Sequence, residues 1–142
     1  MLLLNRLFFN RKKEYLFVYG TLKKSFDNEY SRYLRQRADF IGNAAVAGFL
    51  YKVADGAETY PALIPDRPGY AYGELYLLHK KPALQTLAFL DKYEEIPELF
   101  LRKTVRVDCL DEKNADNALF SAWAYVYNKN TDNLELIETG EF

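Results

Sequence analysis

The acidic stretch Leu90–Glu98 holds the side chains best suited to proton-transfer chemistry. It continues a segment in which Leu84 and Leu87 lie at helical spacing. On that helix Asp91 falls on the same side as Leu84, and Glu94 falls near the Leu87 edge. A carboxyl group on the apolar side is partly buried, and burial raises its pKa towards the range that a general acid or base needs. The alternative is that the helix ends before these acids, which then lie in solvent or pair with a Lys or Arg.

The turn Tyr19-Gly20-Thr21-Leu22, which ends the first predicted strand, is a second candidate. Glycine lets the backbone turn sharply and approach a ligand closely. Successive N–H groups in such a turn form a concave site for anions. The same residues also suit a turn that only ends the strand. A phosphate loop is excluded, because none of the seven glycines forms a G-x-G-x-x-G or G-x-x-x-x-G-K pattern.

Other catalytic side chains are scarce. One histidine, one cysteine and three serines make a nucleophilic triad difficult to assemble, and a single cysteine excludes an intrachain disulfide and a Cys-based zinc site. The lone His79 is predicted to be structural. A metal site is not favoured, because no histidine accompanies the acids. We therefore expect chemistry that rests on carboxylates and backbone donors.

The composition indicates one globular domain. A chain of 142 residues fits a single domain, and 49% hydrophobic with 27% charged residues is typical of a chain with a core. The net charge of -1 gives no support for binding to nucleic acid or to an anionic membrane.

Aromatic residues make up 16% of the chain. Aromatic strand faces stack on single-stranded bases in some proteins, but that mode also needs a basic groove.

Residues 1–14 are predicted to form an arm outside the domain of residues 15–142. The apolar run Met1–Phe9 is interrupted by Asn5 and Arg6 and is far shorter than the ~18 apolar residues of a spanning helix. It also lacks the preceding charge and the following cleavage site of a signal peptide. We therefore expect a cytoplasmic protein whose arm packs on the body or mediates self-association, with a weak surface anchor as the lesser option.

Hydrophobic periodicity predicts five strands and two helices. The strands are 15–19, 44–53, 70–78, 103–110 and 119–127, the helices are 28–37 and 82–93, and loops are expected at 55–58, 65–69 and 111–117. Large residues on one strand face and small ones on the other suit a strongly curved or closed sheet. The order of the elements predicts an α+β fold with a mixed or antiparallel sheet.

In order and spacing, these motifs resemble the gamma-glutamylcyclotransferase-like superfamily, in particular its branch of small gamma-glutamylamine cyclotransferase-like proteins. The likeness runs from about Tyr15 to the C-terminus. Its carriers are Tyr19-Gly20-Thr21-Leu22, Gly48-Phe49-Leu50-Tyr51, Tyr60-Pro61-Ala62, Gly73-Glu74-Leu75-Tyr76, Leu90-Asp91-Lys92-Tyr93-Glu94, Arg102 with Val105 and Val107, Ala122-Trp123-Ala124-Tyr125-Val126-Tyr127 and Gly140-Glu141-Phe142. Two positions differ from the usual pattern: Glu95 replaces a glycine and Phe100 replaces a tyrosine.

The resemblance implies a small β-barrel with flanking helices and a pocket at the barrel mouth. It implies that Glu94 is the catalytic acid and base. The residues expected to bind the substrate are Tyr19, Gly20, Thr21, Leu22, Tyr125 and Tyr127. The implied reaction is attack by the α-amine of a γ-glutamyl group on its own γ-carbonyl, which releases 5-oxoproline and an amine or amino acid. Because the nucleophile belongs to the substrate, no metal or cofactor is required.

Two alternatives stay open at this point. With Glu95 and Phe100 in place of the usual residues, the fold also suits a non-catalytic module that binds a γ-glutamyl or carboxylate ligand. The pocket also suits γ-glutamyl dipeptides or another γ-glutamyl metabolite, with the loops 55–60 and 111–117 deciding the choice. Arg102 is expected to pair with an acid, and its alternative role is to bind a substrate carboxylate.

Overall fold

A closed sheet of five strands forms the centre of the protein. The computed structural model describes residues 13–111 and 119–142. The strands are β1 (Tyr15–Val18), β2 (Ala38–Asp55), β3 (Glu58–Leu78), β4 (Phe100–Cys109), β5 (Leu119–Tyr127) and β6 (Glu135–Leu136), and the helices are α1 (Glu29–Arg37) and α2 (Ala83–Tyr93). Around the barrel the order is β2, β3, β1, β5 and β4, which pairs again with β2, while β6 pairs with the same edge of β2 as β4, further along the strand. Strand β5 runs parallel to β1 and β3, and all other pairs are antiparallel. The predicted α+β fold with a small mixed barrel and flanking helices is confirmed.

The core has two parts, one inside the barrel and one between the barrel and the helices. The inner part draws side chains from all five barrel strands and none from a helix. Most are small or medium, such as Val46, Leu63, Val107 and Ala124, and β1 contributes Phe17. The outer part joins helix residues such as Leu34 and Leu87 to the opposite strand faces, including Leu16, Tyr76 and Tyr125. The small residues predicted on one face of β5 therefore point inwards, where a closed sheet has least room.

Strands β2 and β3 differ most from the prediction. They form one long hairpin, closed by the predicted turn at 55–58. The loop predicted at 65–69 is wrong, because these residues belong to β3. There the register shifts opposite Ala47 and Gly48, from residue 70 to residue 65, so that residues 66–69 form a bulge. The prolines that suggested a loop are tolerated at a bulge, where the ladder needs no N–H donor.

Asn28 caps the start of the first helix. The Asn28 carbonyl oxygen Oδ1 accepts from the N–H groups of Tyr30 and Ser31 at 3.0 and 2.8 Å, and the Ser31 hydroxyl accepts from the Asn28 N–H at 3.1 Å. This reciprocal pair is a capping box. The amide Nδ2 of Asn28 also donates to the carbonyl of Thr21 at 2.8 Å. The cap therefore ties the start of α1 to the turn after β1.

Most of the predicted arm and of the loop predicted at 111–117 lies outside the described residues. The last residue of the predicted arm, Glu14, contacts the barrel: its carbonyl accepts from the Leu78 N–H at 2.9 Å and its carboxylate from the Trp123 indole at 2.7 Å. The helices in the described part of the chain are all too short or too polar to cross a membrane.

Replacing Asn28 with alanine is expected to lower the free energy of unfolding by about 1–2 kcal/mol, because two N–H groups of α1 lose their acceptor. Asn28→Asp keeps that acceptor and loses only the donor to Thr21, so it should retain most of the stability. Denaturant unfolding of both variants measures the difference. Equal losses in the two variants would show that the bond to Thr21, and not the cap, is what matters.

Candidate active site

A cavity of about 330 Å³ opens at one end of the barrel, within the size range of small-molecule sites. The ends of β1 and β5 and the starts of β3 and β4 meet there. Its walls are residues 17–22, 58–61, 93–95 and 99–100, together with Tyr125. Three separate parts of the chain thus supply the end of β1, the end of α2 and one side chain of β5 to a single space.

The turn after β1 supplies main-chain donors to this cavity. The Lys23 N–H donates to the Gly20 carbonyl at 3.0 Å and closes the turn. A Cβ atom at Gly20 would lie 2.9 Å from Cγ of Pro61, so the close approach to β3 requires glycine. Within residues 13–111 and 119–142, the N–H groups of Gly20, Thr21 and Leu22 donate to no protein acceptor. These three groups are available to a ligand.

Side chains on both sides hold this turn in place. The Thr21 hydroxyl lies 2.6 Å from the hydroxyl of Tyr93, at the end of α2. The N–H of Lys24 donates to the buried carboxylate of Glu74 at 2.8 Å, and the Tyr76 hydroxyl donates to the same oxygen at 2.9 Å. The acid of the Gly73-Glu74-Leu75-Tyr76 motif therefore anchors the turn to β3.

The hydroxyl of Tyr19 belongs to the fold, although the residue lines the cavity. It donates to the carbonyl of Tyr125 at 2.5 Å and accepts from the Leu63 N–H at 3.2 Å. It thereby links β1, β5 and β3 at the barrel mouth. Burial is the main cause that raises its pKa, so Tyr19 remains protonated.

The C-terminal end of α2 places Glu94 in the cavity wall. The Ile96 N–H donates to the Asp91 carbonyl and the Glu95 N–H to the Lys92 carbonyl, both at 3.2 Å, which is a Schellman motif. Glu95 has a φ of 53°, the left-handed conformation that this motif requires. Glycine adopts this conformation without strain, and Glu95 adopts it here.

The environment of Glu94 raises its carboxyl pKa to about 8. Burial is the largest cause, because it disfavours the charged form, and the nearby carboxylates of Asp91 and Glu95 add to it. Glu94 therefore exchanges a proton near neutral pH. The sequence left two interpretations of the acidic stretch open, partial burial of a carboxyl group or exposure of the acids to solvent. For Glu94 the structure shows partial burial.

Asp91 joins the helix to the barrel. Its carboxylate accepts from Nε and Nη2 of Arg102 at 2.8 and 3.3 Å and from the Tyr125 hydroxyl at 2.9 Å. The Arg102 guanidinium also lies over the Trp123 ring, 4.4 Å from its centroid. The expected pairing of Arg102 with an acid is confirmed.

Six of the seven predicted site residues line the cavity: Tyr19, Gly20, Thr21, Leu22, Glu94 and Tyr125. Tyr127 does not. Although Tyr127 shares a strand face with Tyr125, Phe100 lies opposite it in the β4–β5 register, and their rings pack edge to face at 5.6 Å. Phe100 thus occupies the wall in its place. The sequence predicts 55–60 only as a loop that decides the choice of substrate, whereas residues 58–61 line the cavity as the start of β3.

The cavity is acidic. Among the described residues its lining includes Glu58, Glu94 and Glu95 and no lysine, arginine or histidine. Burial, then Tyr127, and then nearby carboxylates including Asp55 raise the pKa of Tyr60.

Nowhere in the described chain do three or more His, Cys, Asp or Glu side chains form a group that could hold a metal ion. The absence of a cofactor stays a prediction.

Comparison with known proteins defines the class. The fold and the family assignment together describe a small barrel enzyme of the cyclotransferase type. The family model described as "Gamma-glutamyl cyclotransferase, AIG2-like" matches residues 16–142, and the chain belongs to this family.

Two named relatives cover most of the chain. Gamma-glutamylaminecyclotransferase A of Danio rerio is 32% identical over 120 residues, which are 82% of this chain and 69% of that protein. The gamma-glutamylcyclotransferase family protein YtfP of Escherichia coli (strain K12) is 27% identical over 128 residues, 89% of this chain and 94% of that protein.

Solved structures share the fold. An AIG2-like protein from Mus musculus has a TM-score of 0.67 at 24% identity, covering 86% of this chain and 82% of that chain. The solution structure of ytfP from Escherichia coli has a TM-score of 0.61 at 26% identity, covering 90% and 95%. The barrel with its two helices is therefore the architecture of the family.

The pH dependence of stability tests the burial of Glu94. Its folded pKa lies above the ordinary value of 4.5, so the folded state binds the proton more tightly. The stability that this proton contributes is fully present below about pH 4.5 and is lost as pH rises through about 8. Relative to Glu94→Gln, wild type should therefore lose stability between about pH 5 and pH 9. Thermal unfolding across this range, with Glu98→Gln as the exposed control, measures it, and parallel wild-type and Glu94→Gln curves would contradict the burial.

The backbone at Glu95 gives a second test. A non-glycine residue in the left-handed conformation is destabilising by about 1 kcal/mol, partly offset by the flexibility that glycine adds to the unfolded chain. We expect Glu95→Gly to raise the free energy of unfolding by about 0.5–1 kcal/mol. Glu95→Ala removes the same charge and keeps the strain, so it should give a smaller gain. Equal gains in denaturant unfolding would assign the effect to charge repulsion.

Proposed function

We propose that the protein releases 5-oxoproline from a γ-glutamyl amine or γ-glutamyl amino acid by intramolecular aminolysis, with Glu94 as general acid and base. One observation carries the proposal. The Glu94 carboxyl, with a pKa near 8, lines the same cavity as the unused N–H groups of Gly20, Thr21 and Leu22. A proton carrier and a set of oxyanion donors are the two parts that this reaction needs.

The proton follows a closed route. Glu94, as carboxylate, takes a proton from the substrate's α-ammonium group. The freed amine attacks the γ-carbonyl carbon, a new C–N bond closes the five-membered ring, and the carbonyl oxygen becomes an oxyanion. Glu94 then gives this proton to the leaving nitrogen as the original C–N bond breaks. It next takes the second proton that the ring nitrogen loses on becoming an amide, and passes it to the released amine, which leaves as an ammonium ion. One amide replaces another, so no water, oxidant or second substrate is consumed.

The pKa of Glu94 suits both steps. The α-amino group of a peptide N-terminus has a pKa of about 8. The free carboxylate on the same carbon places the pKa of the substrate's α-amine somewhat higher, still close to the value of about 8 at Glu94. Proton transfer between them is nearly balanced in either direction, so one carboxyl group serves as base and then as acid. An ordinary solvent-exposed glutamate would be too weak a base for the first step.

Main-chain donors take the substrate's oxygens in this proposal. No basic side chain lines the cavity among the described residues, so the N–H groups of the turn are the available partners for a carboxylate or a developing oxyanion. Each well-placed donor stabilises the oxyanion by roughly 3 kcal/mol. Holding the glutamyl chain in a curled conformation supplies several kcal/mol more by removing rotational freedom.

The leaving group is proposed to be an amine. A relative is named gamma-glutamylaminecyclotransferase, and the acidic lining of Glu58 and Glu95 repels a leaving group that carries its own carboxylate. The non-catalytic alternative is not favoured, because Glu95 adopts the backbone conformation of the usual glycine and leaves Glu94 in the wall. A cytoplasmic location and self-association through residues 1–14 stay predictions.

Replacing Glu94 with glutamine is expected to lower kcat at least about 100-fold, because shape is kept and the proton carrier is lost. Chromatographic detection of 5-oxoproline from a panel of γ-glutamyl amines and γ-glutamyl amino acids measures it. For wild type, kcat/KM should rise with pH up to about 8, as Glu94 becomes a carboxylate.

Glu98→Gln is the matched control, since it removes an exposed acid four residues away that does not line the cavity. It should retain wild-type rates. A Glu94→Gln variant as fast as wild type would remove Glu94 from the mechanism. Ligand-induced stabilisation of wild type with no 5-oxoproline from any compound would favour the binding module.

A further inference from the structure

We propose that Asp91 is a positioning residue which, with Arg102 as its counter-ion, fixes the Tyr125 hydroxyl as an acceptor for the substrate's α-amine. The inference rests on the proposed function, because it assigns a second partner to the amine that attacks. Asp91 itself is not among the residues that line the cavity. Its effect on the reaction passes through Tyr125 and Glu94.

The geometry leaves the Asp91 carboxylate little freedom. Oδ1 accepts from the Tyr125 hydroxyl at 2.9 Å and from Nε of Arg102 at 2.8 Å, while Oδ2 accepts from Nη2 at 3.3 Å. The two donors lie directly opposite each other on β5 and β4. The side chains of Arg102 and Asp91 are only 24% and 25% exposed. A forked, partly buried pair of this kind holds its orientation better than a surface ion pair.

A further contact restrains Arg102 from behind. Its guanidinium lies over the Trp123 ring, and the Trp123 indole N–H donates to the Glu14 carboxylate at 2.7 Å. The chain of contacts therefore runs from the segment before β1, across β5 and β4, to helix α2.

The direction of the Tyr125 hydrogen bond decides what its oxygen can do. A carboxylate only accepts, so the single phenolic proton of Tyr125 is used by Asp91. Burial first, then Asp91, raises the pKa of Tyr125, so that proton is retained. The oxygen keeps a lone pair, and the residue lines the cavity. Towards a ligand, Tyr125 is therefore an acceptor.

An ammonium group has three N–H donors and needs several acceptors. Glu94 accepts one of them in the proposed reaction, and the Tyr125 oxygen offers a place for a second. Two acceptors restrain rotation about the bond from the α-carbon to nitrogen. The amine that remains after proton transfer to Glu94 is then already oriented towards the γ-carbonyl.

Asp91 and Arg102 also influence the charge state of Glu94. The groups around Glu94 are Asp91 and Tyr93 on α2, the adjacent Glu95, Tyr19 on β1, Glu58 on β3 and Tyr125 on β5, with Arg102 on β4 reaching it by way of Asp91. Asp91 disfavours the carboxylate form of Glu94, and Arg102 offsets part of that charge. Removing either partner should shift proton uptake by Glu94, in opposite directions.

The Tyr125→Phe variant tests the acceptor. For a γ-glutamyl amine, kcat/KM should fall about tenfold or more, because a hydrogen bond to a charged group is lost. The glutaric acid monoamide of the same amine lacks the α-amine, so its inhibition constant should change less than about twofold. Tyr72→Phe, which removes an exposed hydroxyl from β3, is the matched control and should behave as wild type.

The pH profile tests the positioning pair. Asp91→Asn should move the acidic limb of kcat/KM to lower pH, and Arg102→Met should move it to higher pH. Arg106→Met removes an exposed cation from the same strand and should leave the limb in place. A purely structural role would change thermal stability in both variants without opposite shifts of the limb.

The outcomes separate this inference from the proposed function. If wild type releases no 5-oxoproline from any compound of the panel, both the proposed function and this inference are wrong. If wild type is active and Tyr125→Phe has the same kcat/KM, the acceptor role is wrong and the proposed function stands. The same conclusion follows if Tyr125→Phe weakens binding of the monoamide by the same factor as it lowers kcat/KM for the substrate. Where Asp91→Asn does not fold, Arg102→Met and Tyr125→Phe decide between these results.

Discussion

The left-handed turn at the end of helix α2 is the constraint on which the site depends. A helix that ended in solvent would leave Glu94 hydrated, with an ordinary pKa. The Schellman bonds from Ile96 and Glu95 instead reverse the chain at once, so that the next segment enters β4 and Glu94 stays in the cavity wall. The reversal makes burial of one carboxyl group unavoidable, and that burial gives the group its proton affinity near neutral pH.

Closure of the barrel supplies the other half of the site. Strand β1 has only the four residues Tyr15–Val18, yet it pairs with both β3 and β5 and completes the ring. Because β1 ends at the mouth, the turn that follows it meets the end of α2, and Thr21 reaches the Tyr93 hydroxyl. The main-chain donors and the carboxyl group are thus brought together by pairing between strands far apart in sequence.

Around the cavity, main-chain N–H groups and side-chain oxygens have separate tasks. Three glutamates are among the residues that line the cavity, and Arg102 forms an ion pair with Asp91 outside the lining. Negative groups of the ligand are then left to main-chain N–H groups, and positive groups to carboxyl and phenol oxygens. This division suits a substrate that carries an amine and a carboxylate on the same carbon atom.

The sequence by itself indicated the main element types and six of the residues that line the cavity. Periodicity located most of the strands and the two helices, because this signal is local. Tertiary structure alone decided the bulge in β3, the replacement of Tyr127 by Phe100 in the wall, and the network around Asp91. Each of these depends on strand register or on contacts between distant segments, and no local pattern encodes how far one strand slides past another. The sequence could name Glu94 as a candidate, but only the packed mouth of the barrel could bury it and raise its pKa.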